Sequence, residues 1–124
     1  MTMIHTPRTP EELMARFTAC VAARDLDRLL ELYEADAVFV PQPGTCHRGR
    51  EAIRAALSAL LELAPVLETR IREVHATGDL ALVIADWSLR GHAPDGTPVT
   101  QGGRSADVLR RQADGSFRVA IDHP

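Results

Sequence analysis

The sequence contains no lysine and no asparagine, only two cysteines, and no long apolar run. Each shortage excludes something. Schiff-base catalysis needs a lysine amine, and N-glycosylation needs an asparagine acceptor. Cys20 and Cys46 are too few for a disulfide framework, and they form no CxxC pair. No segment reaches the roughly 20 apolar residues that cross a bilayer. The first ten residues lack the apolar stretch of a signal peptide. The expectations are therefore no membrane association and a cytoplasmic location. Lysine and asparagine codons are AT-rich, so their joint absence fits a GC-rich bacterial genome.

All 14 basic residues are arginines, set against 17 acidic residues, for a net charge of −3. They form no basic cluster, so no nucleic-acid partner is expected. His47, His75, His92 and His123 share no metal-ligand spacing, and HExxH is absent. The P-loop, the Rossmann glycine pattern and the nucleophile elbow are also missing. No metal and no cofactor is expected. What is present, 124 residues at 45% hydrophobic, suits one globular domain with a core and a small pocket.

Residues 1–8 read as a flexible N-terminal arm, and 9–124 as a single domain. Thr9-Pro10-Glu11-Glu12 is a helix start, with a capping threonine, a first-turn proline and a capping-box glutamate. Leu13, Phe17, Cys20 and Val21 then share one helical face. Asp25 caps a second helix whose stripe is Leu26, Leu29, Leu30 and Tyr33. Ala37–Val40 is a short strand, followed by a rigid loop over Pro41–Gly44, and Cys46 and His47 fall in this loop region. Sequence neighbours rarely reach each other's side chains, which argues against a Cys-His nucleophile pair. Gly49 opens a third helix that Pro65 stops. Four strands follow, at 66–76, 80–90, 98–112 and 117–122, separated by short turns that make hairpins. Gly102-Gly103 predicts a bulge or sharp bend within the third of them. The order predicts an α+β fold, with helices on one face of a mostly antiparallel meander.

This order and several of its segments resemble the nuclear transport factor 2-like superfamily. Within it the chain is most similar to SnoaL-like and ketosteroid-isomerase-like bacterial proteins. The resemblance rests on Arg24 to Tyr33, Ala35 to Val40, Arg48 to Arg54, Gly103 to Arg111, and the ending Asp122-His123-Pro124. It implies a cone-shaped α+β barrel, three N-terminal helices packed on a curved sheet, with an apolar pocket at the open end and homodimers formed through the sheet. The steroid isomerases use a tyrosine on the first helix, an aspartate base after the first strand, and a neutral aspartic acid on a late strand. The corresponding positions here are Phe17, Pro41 and Asp107, so only the last is kept. SnoaL-like cyclases are implied to rely mainly on one acid/base aspartate, a role open to Asp107.

The residues themselves leave alternatives. Strand alternation puts Gln101, Gly103, Ser105, Asp107 and Leu109 on one face. If that face is concave, Asp107 is a buried acid/base, with Gln101 and Ser105 orienting a ligand. If it is convex, Asp107 pairs with an arginine. Trp87, aligned with Ala81, Val83, Ala85 and Leu89, is core or pocket wall, and Phe17 and Tyr33 are further candidate walls. Asp122 and His123 join the candidate ligand-binding residues because the resemblance places this end near the pocket. The function expected is binding of a small hydrophobic molecule, with cofactor-free isomerase- or cyclase-type chemistry on a carbonyl compound. The alternative is a non-catalytic binding or dimerisation module.

Overall fold

The computed structural model describes residues 6–124. Residues 1–5 of the expected arm lie outside the described residues. Pro7 is buried, and its carbonyl accepts the Phe117 N–H at 2.8 Å. Arg8 donates from Nη1 to the Asp114 carbonyl at 2.9 Å.

Helix α1 (Pro10–Ala22) starts as its sequence requires. Thr9 Oγ1 accepts the Glu12 N–H at 3.1 Å. Glu12 reaches back one residue further than a standard capping box and accepts the Arg8 N–H at 2.8 Å. Helix α2 (Leu26–Glu31) is capped by Asp25, which accepts from Arg28 N at 3.2 Å. Tyr33 does not extend α2. It is the first residue of strand β1 (Tyr33–Gln42), because the chain turns at Leu32 and pairs in parallel with the last strand. Arg50, which opens helix α3 (Arg50–Leu61), pins this start by donating from Nε and Nη2 to the Tyr33 carbonyl at 3.2 and 2.7 Å.

The expected loop after the first strand is a hairpin. Strand β2 (Thr45–Arg48) folds back on β1 across Pro43-Gly44, so Cys46 and His47 sit on a strand. Four residues, none of them fully buried, carry too little apolar signal to announce a strand. Strands β3 (Val66–Thr77), β4 (Leu80–His92), β5 (Pro98–Arg111) and β6 (Phe117–Asp122) follow the expected meander. The sheet order is β2-β1-β6-β5-β4-β3, antiparallel except for β1 with β6.

The predicted irregularity at Gly102-Gly103 is absent as a bulge. The β4–β5 register runs unbroken from Leu80 opposite Arg110 to His92 opposite Pro98. Gly103 instead lies against the Trp87 indole, where an added Cβ would rest 3.6 Å from Nε1. The register shifts lie elsewhere, beside Arg72 in β3 and Ala120 in β6 and at two places in β1. The result is three helices packed on a curved six-stranded sheet. Their common core includes Leu13, Val21, Leu29, Ile53, Leu57 and Leu109. Among the described residues no helix is long and apolar enough to cross a membrane.

Candidate functional site

Between the helices and the concave face of the sheet lies a cavity of about 380 Å³. Helix α1 supplies Leu13, Met14 and Phe17, and α3 with the turn after it supplies Leu57, Leu60 and Leu63. The strands add Phe39, Pro41, Leu67, Trp87 and Leu89. Against this apolar lining stand few polar groups: Gln101, Ser105 and Asp107 from β5, Asp122 from β6, and Thr69 from β3.

Asp107 faces inward because the β4–β5 ladder is unbroken. It pairs with Val83, which is fully buried beneath the helices. Its neighbours Ala106 and Val108 take the other face, where Asp86 binds Arg72 and Arg104. The outward ion pair considered for Asp107 is thus made by Asp86.

Asp122 owes its direction to the Ala120 bulge. Strict alternation from Phe117 and Val119 would turn Ile121 inward and Asp122 outward. The register steps from Leu109 opposite Val119 to Val108 opposite Ile121, leaving Ala120 unmatched. After this extra residue Ile121 is exposed and Asp122 buried. Asp107 then lies directly across from Asp122, a register closed by Ala106 N donating to the His123 carbonyl at 2.8 Å.

The two residues are 7% and 9% exposed and face each other across the β5–β6 pair. Asp107 Oδ1 accepts the His123 backbone N–H at 3.0 Å. The Tyr33 hydroxyl donates to Asp122 Oδ2 at 2.6 Å. Burial, and then the charge of Asp122, push Asp107 up from 3.8 to about 8. Burial also raises Asp122, against the opposing pull of the Tyr33 hydroxyl. Tyr33 is itself held well above its usual range by burial and by Asp122. At neutral pH the pair therefore keeps a proton and can act as a hydrogen-bond donor toward the cavity.

The sequence candidates thus divide. Phe17, Trp87, Gln101, Ser105, Asp107 and Asp122 share the cavity wall. Tyr33 does not reach it. It is fully buried behind Asp122, with its ring edge-on to Phe17 at 6.2 Å. The His123 side chain is exposed, and the residue acts on the site through its backbone. Ser105 Oγ donates to the Ala85 carbonyl at 3.3 Å. Trp87 Nε1 is buried without a partner. Sequence reasoning missed Met14, Phe39 and the α3 contributions. Their signal was the helical and strand periodicity, which gives buried faces without saying which residue borders a void. Among the described residues no group of three or more His, Cys, Asp or Glu is placed to hold a metal ion.

A cone of this kind, with helices closing one side of a bent sheet around an apolar cavity, defines the nuclear transport factor 2-like class. The SnoaL-like domain family matches residues 14–120, and the chain belongs to it. Solved structures agree. A ketosteroid isomerase-like protein from Erwinia carotovora atroseptica superposes with a TM-score of 0.78 at 17% identity, covering 90% of this chain and 88% of that one. A nuclear transport factor 2-like protein from Salmonella enterica serovar Typhimurium gives 0.80 at 18% identity, over 90% and 84%. A candidate association domain of calcium/calmodulin-dependent protein kinase type II from Thiobacillus denitrificans gives 0.77 at 22%, over 98% and 96%. At these identities the likeness shows the fold alone. No curated protein matches the chain.

Proposed function

We propose that the cavity binds a compact hydrophobic carbonyl compound and that neutral Asp107 donates a hydrogen bond to the carbonyl oxygen. Chemistry of the isomerase or cyclase type would follow, using side chains alone. The observation that carries this reading is the inward Asp107, kept protonated by burial in a mainly apolar wall. A carboxylic acid kept neutral in a mainly apolar wall favours a ligand that brings an acceptor. Phe17 and Pro41, which the resemblance matches to the tyrosine and aspartate of the steroid isomerases, line the same cavity. That family's own set of groups is therefore not reproduced here, and the donor role falls to Asp107.

The protein contains one tryptophan, and it lines the cavity. Its fluorescence reports occupancy. Titration with 2-tetralone and with tetralin, the same skeleton without the oxygen, should show the ketone binding about tenfold tighter, as one net hydrogen bond provides. Asp107→Leu, which keeps the branch at Cγ but removes the donor, should abolish that preference. Equal affinities for ketone and hydrocarbon in the wild type would defeat the reading.

A second role, homodimerisation through the sheet, has its own observation. Leu82, Val108 and Ile121 stand opposite one another on three adjacent strands, on the face away from the helices. Leu82 is 37% and Ile121 40% exposed. An apolar row crossing the middle of an outer sheet face fits contact with a second copy.

A further inference from the structure

We propose that a second cavity, where Thr6 and Pro7 pass α1, α2 and the start of β6, is a binding site for a short-chain organic carboxylate held by arginine. It shares no lining residue with the larger cavity. It therefore stands or falls independently of the reading of Asp107.

The cavity measures about 110 Å³. Arginine enters its wall from three elements: Arg16 from α1, Arg28 from α2 and Arg118 from β6. The three are far apart in a sequence without a basic cluster, and the fold gathers them. Among the described residues Glu31 is the only carboxylate in the wall. The wall thus carries surplus positive charge in a chain whose net charge is −3.

That surplus is not taken up nearby. Among the described residues Arg16 and Arg118 form no ion pair, and Glu31 pairs with neither of them nor with Arg28, its neighbour one helical turn away. Arg28 meets Asp25 through Nε at 3.3 Å. Asp114, within range of the Arg118 charge, accepts the N–H and hydroxyl of Ser116 at 2.9 and 2.6 Å. Arg16 is partly buried, so salt screens it less than a free surface charge.

The buried part of the lining is neutral. Pro7, Leu32 and Phe117 are apolar, and the Ser116 hydroxyl is committed to Asp114. Burial, and then the charge of Asp25, push the Cys20 thiol up, so it adds no competing anion. A guanidinium fork matches a carboxylate with two parallel hydrogen bonds. The apolar lining takes a hydrocarbon body, which an inorganic anion lacks. The volume, under a third of the larger cavity's, limits that body to a short chain.

The test is titration with butyrate, butyramide and inorganic phosphate at constant ionic strength, followed by amide NMR shifts and thermal melts. Butyrate should give saturable shifts centred on Cys20, Leu32 and Phe117 and raise the melting temperature. Butyramide lacks the charge and phosphate lacks the apolar body, so each should bind about tenfold more weakly. Arg16→Gln should weaken butyrate about tenfold, as loss of a charged hydrogen bond does. Glu31→Gln, which removes the wall's carboxylate, should tighten it. Arg90→Gln, at an exposed arginine on β4, should change nothing. Circular dichroism would confirm that the variants fold. Affinity unchanged by both Arg16→Gln and Glu31→Gln, or phosphate binding as tightly as butyrate, would overturn the proposal. Shifts centred on Trp87 and Leu89 would do the same, since they would put butyrate in the larger cavity. So would shifts that chloride produces equally, the mark of an adventitious ion only.

Discussion

Asp107 loses its proton at about pH 8 in the folded chain and near 3.8 in ordinary surroundings, and this ties stability to pH. Between these values the folded chain holds a proton that the unfolded chain has released. Its contribution is fully present below pH 3.8 and is lost as pH rises through 8. One such proton changes the unfolding free energy by about 1.4 kcal/mol per pH unit. Asp122, also raised, acts with the same sign. Asp86, Asp95 and Asp114 are lowered by their hydrogen bonds, so their effect lies on the acid side, below the ordinary carboxylate range. Urea unfolding between about pH 5 and 8 should therefore show stability falling as pH rises, with a shallower slope in Asp107→Asn. An unchanged slope in that variant would assign the dependence to other groups.

The residue scale also shows how far the sequence reached. Asp107 could be singled out as a polar interruption of an apolar strand. Its direction could not, since a slip of one residue in β5 would have reversed it. Asp122 was less legible still. Alternation alone assigns it outward, and only the Ala120 bulge turns it in.

Elements were read well where local chemistry sets them. The caps at Thr9 and Asp25 form as their side chains require. The last strand has the expected bounds. The misses are β2, the last two residues of β1 that pair with it, and the first four residues of β1, whose pairing with β6 comes from far along the chain. Gly91 carries a comparable tertiary demand. The turn after α3 closes on β4 here, with His92 N donating to the Leu63 carbonyl at 2.8 Å. A Cβ at Gly91 would lie 2.6 Å from that same oxygen. Gly91→Ala should destabilise the fold by about 1–3 kcal/mol, the usual range for forced overpacking, as read by urea midpoint at constant slope. A midpoint equal to the wild type would mean the turn moves away freely. Since Leu63 also lines the cavity, 2-tetralone affinity should fall along with stability.

For the whole molecule, the two faces of the sheet would separate the two proposed roles. The concave face carries the cavity and its two carboxyls, and the outer face carries the apolar row of Leu82, Val108 and Ile121. A paired Leu82→Asp and Ile121→Asp variant should halve the mass seen by light scattering while keeping its circular dichroism and ketone binding. A wild type already monomeric at tens of micromolar would remove the dimer reading. The roles are independent, so failure of one leaves the other intact.

Hydrophobic periodicity, helix caps and turn residues are local, and through them the sequence by itself determined the α+β class and the order of every element except β2. The lack of lysine and of the common catalytic motifs was likewise legible in the sequence. The site was decided only in three dimensions. Cavities form where packed faces fail to meet, and strand register and bulges set which residues point into them. The meeting of Asp107, Asp122 and Tyr33 depends on contacts 89 residues apart in the chain, a separation that no local pattern encodes.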